Sequence, residues 1–436
     1  MRRRAARMVA GTPRVLRVMN ERAALDLLTE HGALSRARLG ALTGLSKPTV
    51  SQLLARLEAA GLVGSAGTSE GRPGPGARLY ALRGEVAYVA ALDVRPGRIR
   101  AAVADVTGAV LATHTLATPA RPGPGGVAAQ LTAALDGAAR AAGIERPALH
   151  RVVVGTPGAF DPRTGRLRYA GHLAGWHSPG LLAEVAAALH PVPVEYENDV
   201  NLAAVAERRL GAARGHEDFV LLWNGTGLGA ALVLGGRLHR GWTGGAGEIG
   251  FLPVAGTPLV RGVARTGSGG FQELAGAQAL PRLARELGVP VPEAGPGGAD
   301  PADGEAVAAA LLRTAAEAYP RPGEDPVPGG AELPHDGTFS PHAGPVALLR
   351  AYAVRLATGI ASLVAVLDPA VIVLTGRVLA AGGEPLLRLT EAELAELAPS
   401  RPRLLAGEVT GDPVVRGGLE VALTTVRDEV FDTAAL

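Results

Sequence analysis

Apolar residues between Leu34 and Val63 recur with the period of an α-helix, at spacings of i, i+3, i+4 and i+7. They are Val50, Leu53, Leu54 and Leu57. Ser46 precedes this stripe, where its hydroxyl can cap free backbone N–H groups, and Pro48 falls in the first turn, where no amide hydrogen is needed. Gly61 is placed to end the helix. The pattern therefore predicts one amphipathic helix with a buried face.

A shorter helix is predicted just before it, from Arg36 to about Thr43, with Ser35 as its cap and Gly44 in the turn between the two helices. Two helices joined by a glycine-containing turn, the second longer, form the helix-turn-helix pattern. A further helix is predicted over residues 20–31, and two extended segments follow the longer helix. We therefore predict a winged helix-turn-helix domain over residues 1–82.

The outward face of this predicted unit carries the residue types that contact phosphates and base edges in a major groove. They are Arg36, Ser46, Lys47, Thr49, Ser51, Gln52 and Arg56. Lys47 is the only lysine in the chain, and it stands at a helix N-terminus, where the helix dipole disfavours a cation. A nearby phosphate would reverse that cost. The alternative interpretation is an ordinary solvated polar face.

Two further basic segments flank the predicted helices. Arginines crowd before the first helix, at Arg2, Arg3, Arg4, Arg7, Arg14 and Arg17. Such an arm can lie along phosphates, and it can equally be a disordered tail. Arg72 stands at the centre of a stiff Gly-Arg-Pro projection in the predicted wing, where it can enter a minor groove. A plain Gly/Pro linker explains the same residues equally well.

From Val86 onward, predicted strands alternate with predicted helices, which is typical of an α/β fold. We assign residues 83–436 to a second domain. Runs rich in Pro, Gly, Asp and Glu within 290–345 predict flexible surface insertions around a short helix over 304–319.

Composition narrows the class of protein. A chain of 436 residues suggests two or three domains, and 47% hydrophobic content allows a large core. The absence of cysteine excludes disulfides and thiolate metal sites. We find no apolar run long and uninterrupted enough for a membrane span, and the basic start lacks the apolar region of a signal peptide. We therefore expect a cytoplasmic protein without a membrane partner.

Two motifs in the α/β region carry candidate chemistry. Gly225, Thr226 and Gly227 lie between two predicted strands, where bare amides can approach an anion, although a lone glycine run is weak evidence. Asn198 and Asp199 follow a strand and open a helix, which places Asp199 at a sheet edge where α/β folds bind ligands. Its carboxylate can accept a proton from a sugar hydroxyl or simply cap the helix.

Four segments together resemble the ROK family, named for repressors, open reading frames and kinases. They read GTPGAFD, ENDVNLAAVAE, NGTGLGAALVLGGRLHRGWTGGAGEIG and LDPAVIVLTG. The resemblance implies a two-lobed, actin-like domain that binds a sugar in its cleft. It implies that Asn198, Asp199, Glu248 and Glu273 contact the sugar, and that Asp199 stands at the position of the catalytic base in kinases. The preceding winged helix-turn-helix is a feature of the repressor branch of this family.

The first departure from the family concerns its zinc site. Phe251 stands where the family has a histidine, and Ala264, Thr266 and Phe271 stand where it has cysteines. We therefore predict no structural zinc, and we expect Phe251 and Phe271 to pack together and hold the loop through apolar contacts. Loss of the histidine also removes a contact that the resemblance implies for the sugar.

The other departures concern ATP. The first phosphate turn of kinases is glycine-rich, whereas here it carries Arg95 and Pro96. Near the adenosine motif, Gly376-Arg377 replaces a pair of glycines. We predict that ATP binding and catalysis are lost, so that the loop at 225–227 is vestigial.

These observations favour a DNA-binding transcriptional regulator, and we expect a repressor. It would bind double-stranded operator DNA as a homodimer or a dimer of dimers, with one helix in successive major grooves. Its effector would be a sugar or a sugar phosphate. Two alternatives stay open: a sugar kinase with an accessory DNA-binding head, and a constitutive DNA binder with a dead sugar pocket.

Overall fold

The computed structural model describes residues 13–69, 76–119, 125–161, 164, 167–168, 173–178, 180–255, 257, 269–292, 301–320 and 344–432. Contacts divide the chain into two compact units. The first comprises Met1–Val154, Gly180–Glu195 and Gly418–Leu436, and the second comprises Gly155–Pro179 and Tyr196–Gly417. The N-terminal head shares a unit with the first part of the α/β region, and the domain boundary at residues 82 and 83 stays a prediction.

The head is a winged helix-turn-helix, as predicted. Its elements are α1 (Pro13–His31), β1 (Leu34–Ser35), α2 (Arg36–Thr43), α3 (Lys47–Ala59), β2 (Val63–Thr68) and β3 (Arg78–Leu82). The three strands pair in the order β1-β3-β2, and the two-residue strand β1 was not predicted from the sequence. Helix α1 begins at Pro13 instead of residue 20, so Arg14 and Arg17 of the expected arm lie in a helix.

The core of the head is the predicted apolar stripe. All four of its residues are at most 2% exposed, and so are Leu25, Leu28 and Leu39 of the two preceding helices. Ser35 accepts a hydrogen bond from the backbone N–H of Arg38, and Gly44 has the left-handed φ of 71° that the turn requires. The helix caps and the spacing of the apolar residues therefore both determine the fold of the head.

The α/β region begins with a mixed sheet. Its elements are β4 (Tyr88–Arg95), β5 (Arg98–Asp105), β6 (Val110–Ala117), α4 (Gly126–Ala141), β7 (Leu149–Thr156), β8 (Ala159–Phe160), β9 (Leu167–Arg168), α5 (Leu181–Leu189) and β10 (Val194–Asn198). The five-stranded sheet has the order β10-β7-β4-β5-β6, and β8 pairs with β9 separately. Strands β4, β5 and β6 form an antiparallel meander.

The rest of the chain forms a second sheet covered by helices. Its elements are α6 (Asp199–Leu210), β11 (Phe219–Asn224), β12 (Leu228–Leu234), β13 (Arg237–Leu238), α7 (Gly270–Ala275), α8 (Ala279–Glu286), α9 (Pro301–Glu317), α10 (Gly344–Leu367), β14 (Val371–Thr375), α11 (Arg377–Leu397), β15 (Arg403–Ala406) and α12 (Pro413–Val430). The sheet order is β13-β12-β11-β14-β15, with β14 parallel to both of its neighbours. Most of the insertions expected within 290–345, namely residues 293–300 and 321–343, lie outside the described residues.

Helix α10 lies at the centre of the second unit. Tyr352, Leu356 and Ile360 are fully buried in one apolar cluster with strands β11 and β14. By length and composition this helix could cross a membrane, which the sequence analysis did not anticipate. However, 56% of its most apolar segment is buried inside the structure, and a buried core helix can have the same length and composition. We therefore interpret α10 as a core element.

Candidate functional site

Helix α3 begins at the cap that the sequence predicts. Ser46 has extended backbone angles, and its Oγ accepts a hydrogen bond from the Thr49 amide at 3.4 Å. The two hydroxyls also lie 2.8 Å apart. Lys47 and Gln52 are exposed, whereas Thr49 and Ser51 are half-buried. Ser46 thus acts first as a cap, and Lys47 and Gln52 are the side chains most available to a partner.

Helix α2 adds a cation to the same surface. Arg36 Nη1 donates to Ser51 Oγ at 3.4 Å, and Ser51 Oγ donates to the backbone oxygen of Lys47 at 3.0 Å. Arg36 on α2 therefore reaches the first turns of α3, which begins with Lys47, and both cations are exposed. Paired cations at adjacent helix starts suit the phosphates of a nucleic acid.

Arg56 has a structural partner that sequence reasoning missed. Its Nε donates to Glu21 Oε1 at 2.6 Å, and the Glu21 side chain is only 5% exposed. The sequence does indicate that Glu21 is buried, because it lies on the same face of α1 as the buried residues Ala24, Leu25 and Leu28. Arg56 remains partly exposed, so the prediction that it contacts DNA stays a prediction. Arg72 lies outside the described residues.

The candidate ligand site lies in the second unit, where three loops meet. Asn198 Nδ2 donates to the backbone oxygen of Gly158 at 2.9 Å, while its Oδ1 accepts from the Asn201 amide at 3.0 Å. Gly244, with φ +81°, lies so close to the backbone oxygen of Phe160 that no Cβ would fit. Asn198 therefore caps α6 and also ties it to the loop after β7.

A buried carboxylate beside Asn198 organises the same loops. Glu197 Oε1 accepts from Asn201 Nδ2 at 2.9 Å and from the Asn198 amide at 2.8 Å. Its Oε2 accepts from Arg240 Nε at 2.7 Å. Sequence reasoning quoted Glu197 as part of a motif but did not assign it this role, because its cationic partner is 43 residues away.

Asp199 and Glu248 form an acidic pair in this site. Burial, and in second place the charge of Asp199, raises the pKa of Glu248 to about 7. Asp199 Oδ1 accepts from the Val200 amide at 2.9 Å. A carboxyl group with its pKa raised in this way can carry a proton near neutral pH, so Glu248 can donate a hydrogen bond as well as accept one. Two carboxyl groups of this kind suit the hydroxyls of a polyol.

Glu273 lies on α7, and each of its carboxylate oxygens has a partner. Its Oε2 accepts from the Gly269 amide at 3.0 Å, and its Oε1 lies 3.5 Å from Nη1 of Arg282. Its contact with a sugar stays a prediction.

The residues at the family's zinc positions do not fit a zinc ion. Phe271 is fully buried, with its ring where a Cβ of Gly359 would have to lie, and an aromatic ring offers no metal ligand. Phe251 is half-buried in the 3₁₀ turn at Ile249–Phe251. Ala264 and Thr266 lie outside the described residues. Among the residues that are described, no three His, Asp or Glu side chains are grouped to hold a metal.

The glycine turn at 225–227 is partly covered. The Gly225 amide donates to the backbone oxygen of Gly227 at 3.1 Å, and Thr226 and Gly227 are exposed. A Cβ at Gly225 would lie 2.8 Å from Trp223 Nε1 and 3.5 Å from Glu305 Oε1. Glu305 is a buried acid on α9 that sequence reasoning missed, and a carboxylate beside this turn opposes a phosphate.

The first kinase turn, in the first unit, carries an ion pair. Arg95 pairs with Arg98 across β4 and β5, so Pro96 and Gly97 form the hairpin loop. Arg95 Nε donates to Asp93 Oδ2 at 2.7 Å, and the Asp93 side chain is 1% exposed. An arginine paired with a buried aspartate therefore stands at the turn where the resemblance implies glycines in kinases.

The structure thus combines a winged helix, in which α3 has an exposed polar face, with an α/β domain. Family models agree with both parts: residues 19–70 match the MarR family and residues 89–277 match the ROK family. The chain therefore contains a segment that matches the ROK family, preceded by a segment that matches the MarR family of winged helices.

The relatives of this chain include proteins named as kinases and a protein named as a putative repressor. The glucokinase of Streptomyces coelicolor is 29% identical over 46% of this chain and 60% of its own length. A putative xylose repressor of Caldicellulosiruptor sp. is 24% identical over 56% of this chain and 61% of its own length. The chain thus spans about 60% of the length of these curated relatives.

Solved structures share the fold. The ROK hexokinase of Thermus thermophilus is 28% identical and covers 78% of this chain and 99% of its own, with a TM-score of 0.58. A ROK family transcriptional regulator, described as a homologue of the E. coli MLC protein, is 19% identical and has a TM-score of 0.65. It covers 96% of this chain and 97% of its own, so the shared fold includes the N-terminal head.

Proposed function

We propose that this protein is a transcriptional repressor that binds operator DNA through α3 and senses a sugar in the second unit. The observation that carries this proposal is the exposed polar start of α3 in a chain that also keeps the acidic pair of a ROK domain. A putative xylose repressor among its relatives supports the same combination of parts.

The ligand class follows from the chemistry of the second site. Asp199 and Glu248 provide paired hydrogen-bonding groups, and Glu197 and Arg240 fix the loops around them. The family zinc ligands are replaced here, so the sugar would be held without the histidine contact. We propose a sugar or a sugar phosphate as the effector, bound by a homodimer or a dimer of dimers.

Two charged side chains at the phosphate turns disfavour catalysis, one basic and one acidic. Arg95 closes on Asp93 in the first turn, and Glu305 lies beside the second. Both features would hinder a bound triphosphate, the first by bulk and the second by charge. We propose that the glycine turn at 225–227 is vestigial and that no residue is catalytic.

The DNA-binding proposal is tested with Lys47→Ala and Gln52→Ala, using a duplex that the wild-type chain selects from a random pool. Loss of a bidentate base contact by Gln52 should cost about 1–3 kcal/mol and relax specificity at one base pair. Loss of a phosphate contact by Lys47 should weaken binding to all sequences and lower the salt slope by about 1.

Arg140→Ala is the matched control, because Arg140 is an exposed cation in the last turn of α4, outside the head. It should leave binding unchanged. Wild-type affinity for the selected duplex in both α3 variants would remove these residues from the interface.

The effector is tested by thermal melting with D-glucose, D-xylose and their phosphates, each with and without Mg-ATP. A ligand at about 100 times its dissociation constant adds about 2.7 kcal/mol to the native state. A shift with one sugar that is lost in Asp199→Asn supports sensing at this site. No shift with any compound would favour a constitutive DNA binder with a dead pocket.

A sugar kinase is the second candidate, and the survival of Asp199 beside Glu248 favours it. Relatives named as glucokinases add weight. This candidate requires ADP release in the presence of a sugar and Mg-ATP, abolished by Asp199→Asn. We expect no such release above background.

A further inference from the structure

The last turn of α12 contacts the DNA-binding head within the first unit. Arg22 Nη2 on α1 donates to Asp428 Oδ1 at 2.6 Å. The same guanidinium lies 5.7 Å from the ring centroid of Phe431, whose side chain is buried. Arg22 Nε also donates to Asp26 Oδ1 at 2.9 Å, which holds the guanidinium in place. Charge and an aromatic face therefore bind the same cation.

That turn of α12 is itself held by the first sheet. Arg427 Nε donates to the backbone oxygen of Val106 at 2.9 Å, at the end of β5. Glu429 Oε1 accepts from Arg151 Nη2 on β7 at 2.9 Å. The head is thus joined to the sheet by a side-chain bridge through α12, in addition to its covalent connection.

The covalent connection is short and closely packed. Residues 83–87 lead from β3 to β4, and the backbone of Gly84 is so close to the Asp105 side chain that a Cβ would collide with it. The Arg83 amide also donates to the backbone oxygen of Leu62 at 3.0 Å. With attachments at the connection and at Arg22, the head is held at two separated points.

Helix α1 carries this constraint to the recognition helix. Glu21, the neighbour of Arg22, accepts the hydrogen bond from Arg56 on α3. Because Glu21 is buried and the apolar stripe of α3 packs in the same core, α3 must follow a shift of α1.

The first turns of α12 belong to the second unit and contact the ligand-site helix. The backbone of Gly417 lies against that of Leu202 on α6, so closely that no Cβ would fit. Helix α6 begins with Asp199. One continuous helix therefore has one end against the helix of the ligand site and the other end against the head.

We propose that α12 is the element through which effector binding controls the DNA-binding head, with Arg22 and Asp428 as its positioning residues. This inference rests on the proposed function for its effector. A change at the start of α6 acts on α12 through Gly417, and α12 acts on α1 and α3 through Asp428. A ligand that favours one position of α12 thereby shifts the population of DNA-competent heads.

The test uses the full-length chain with Arg22→Gln, Asp428→Asn and the double variant. Glu420→Gln is the matched control, because it removes one negative charge from an earlier turn of α12. The first readout is amide hydrogen exchange in α1 and α3, which requires neither DNA nor sugar. Each single variant should speed exchange about five-fold, as expected for an ion pair that is partly exposed. The double variant should add little more, because both changes remove one interaction.

The second readout is the change in affinity for the wild-type-selected duplex on adding the sugar that shifts melting. This change should shrink about five-fold in Asp428→Asn and stay unchanged in Glu420→Gln. Unaltered exchange in α1 for Arg22→Gln and Asp428→Asn, or equal acceleration in Glu420→Gln, would overturn the inference. A wild-type chain that selects no DNA would instead contradict the proposed function and leave the exchange result to decide the coupling.

Discussion

The starts of α3 and α6 are built alike and are suited to different partners. Ser46 and Asn198 are both extended residues whose side chains accept a hydrogen bond from the amide three residues on. After Ser46 the first turn exposes Lys47, whereas after Asn198 the first turn places Asp199 beside Glu248. A cap signal in a sequence therefore locates a helix start, and the surrounding loops decide what that start can bind.

The difference is also electrostatic. An acidic residue in the first turn is favoured by the helix dipole, so Asp199 is stable without a ligand. A cation in the first turn is disfavoured, so Lys47 is better placed when a phosphate approaches. The first site thus suits a negatively charged partner, and the acidic pair of the second suits the hydroxyl groups of a sugar.

A glutamate lies near the C-terminal end of each of these two helices. The largest expected difference between the helices is in how much these glutamates contribute to the free energy of unfolding. Glu207 on α6 is fully buried, and its carboxylate accepts from the amides of Ala212, Glu408 and Val409 at 2.9–3.1 Å. Glu207→Ala should lower the free energy of unfolding by about 3 kcal/mol or more, because three amides lose their acceptor. Chemical denaturation of the full chain measures this loss.

Glu58→Ala at the end of α3 is the matched variant for that comparison. Glu58 pairs with Arg78 at 2.5 Å, but the arginine side chain is half exposed, so the loss should be below about 1 kcal/mol. Equal losses in the two variants would contradict the difference between these helix ends.

The acidic pair should make stability depend on pH. Because the pKa of Glu248 rises from 4.5 unfolded to about 7 folded, its stabilising contribution is complete below pH 4.5 and is lost as pH rises through 7. Glu248→Gln cannot ionise, so at pH 8 it should be more stable than wild type by up to about 3 kcal/mol. Unfolding curves from pH 5 to pH 8 measure the difference.

Asp199→Asn sharpens the same measurement. It removes the neighbouring charge but leaves the burial, which is the larger cause, so the midpoint should move only partly toward pH 4.5. A wild-type stability that is flat across this range would show that Glu248 keeps an ordinary pKa.

The caps themselves should give the smallest effects. Ser46→Ala should cost about 1 kcal/mol. Asn198→Ala should cost slightly more, because it also loses the bond to Gly158. If Ser46 is only a cap, Ser46→Ala should lower melting temperature without changing which base pairs the duplex selection prefers. Altered base preference would place Ser46 in the interface.

Elements set by local pattern were predicted well. The stripe of α3, the Gly44 turn, and the strands and helix around Asn198 all follow from residues adjacent in sequence. Strand β1 escaped prediction because two residues carry no period, and its pairing with Tyr80 is not local. The start of α1 at Pro13 also escaped, and its first turns expose the apolar side chains of Val15, Leu16 and Met19 instead of burying them in the core of the head.

The role of a site residue could be predicted from the sequence only where a motif assigns that role. Glu21, Glu197 and Glu305 each lie beside a predicted site residue, yet none was assigned its role. Their partners are distant in sequence, 35 residues for Glu21 with Arg56 and 43 for Glu197 with Arg240. Periodicity shows that a side chain is buried, but it does not identify a partner across the fold.

The hydrogen bond between Glu21 and Arg56 has a practical consequence for protein engineering. A recognition helix copied from this protein into another regulator would bring Arg56 without its buried acceptor. The reverse graft would leave Glu21 as a buried acid without a cation. Chimeras that exchange operator preference should therefore be joined before α1, at or before Pro13, so that α1 and α3 are transferred as one module.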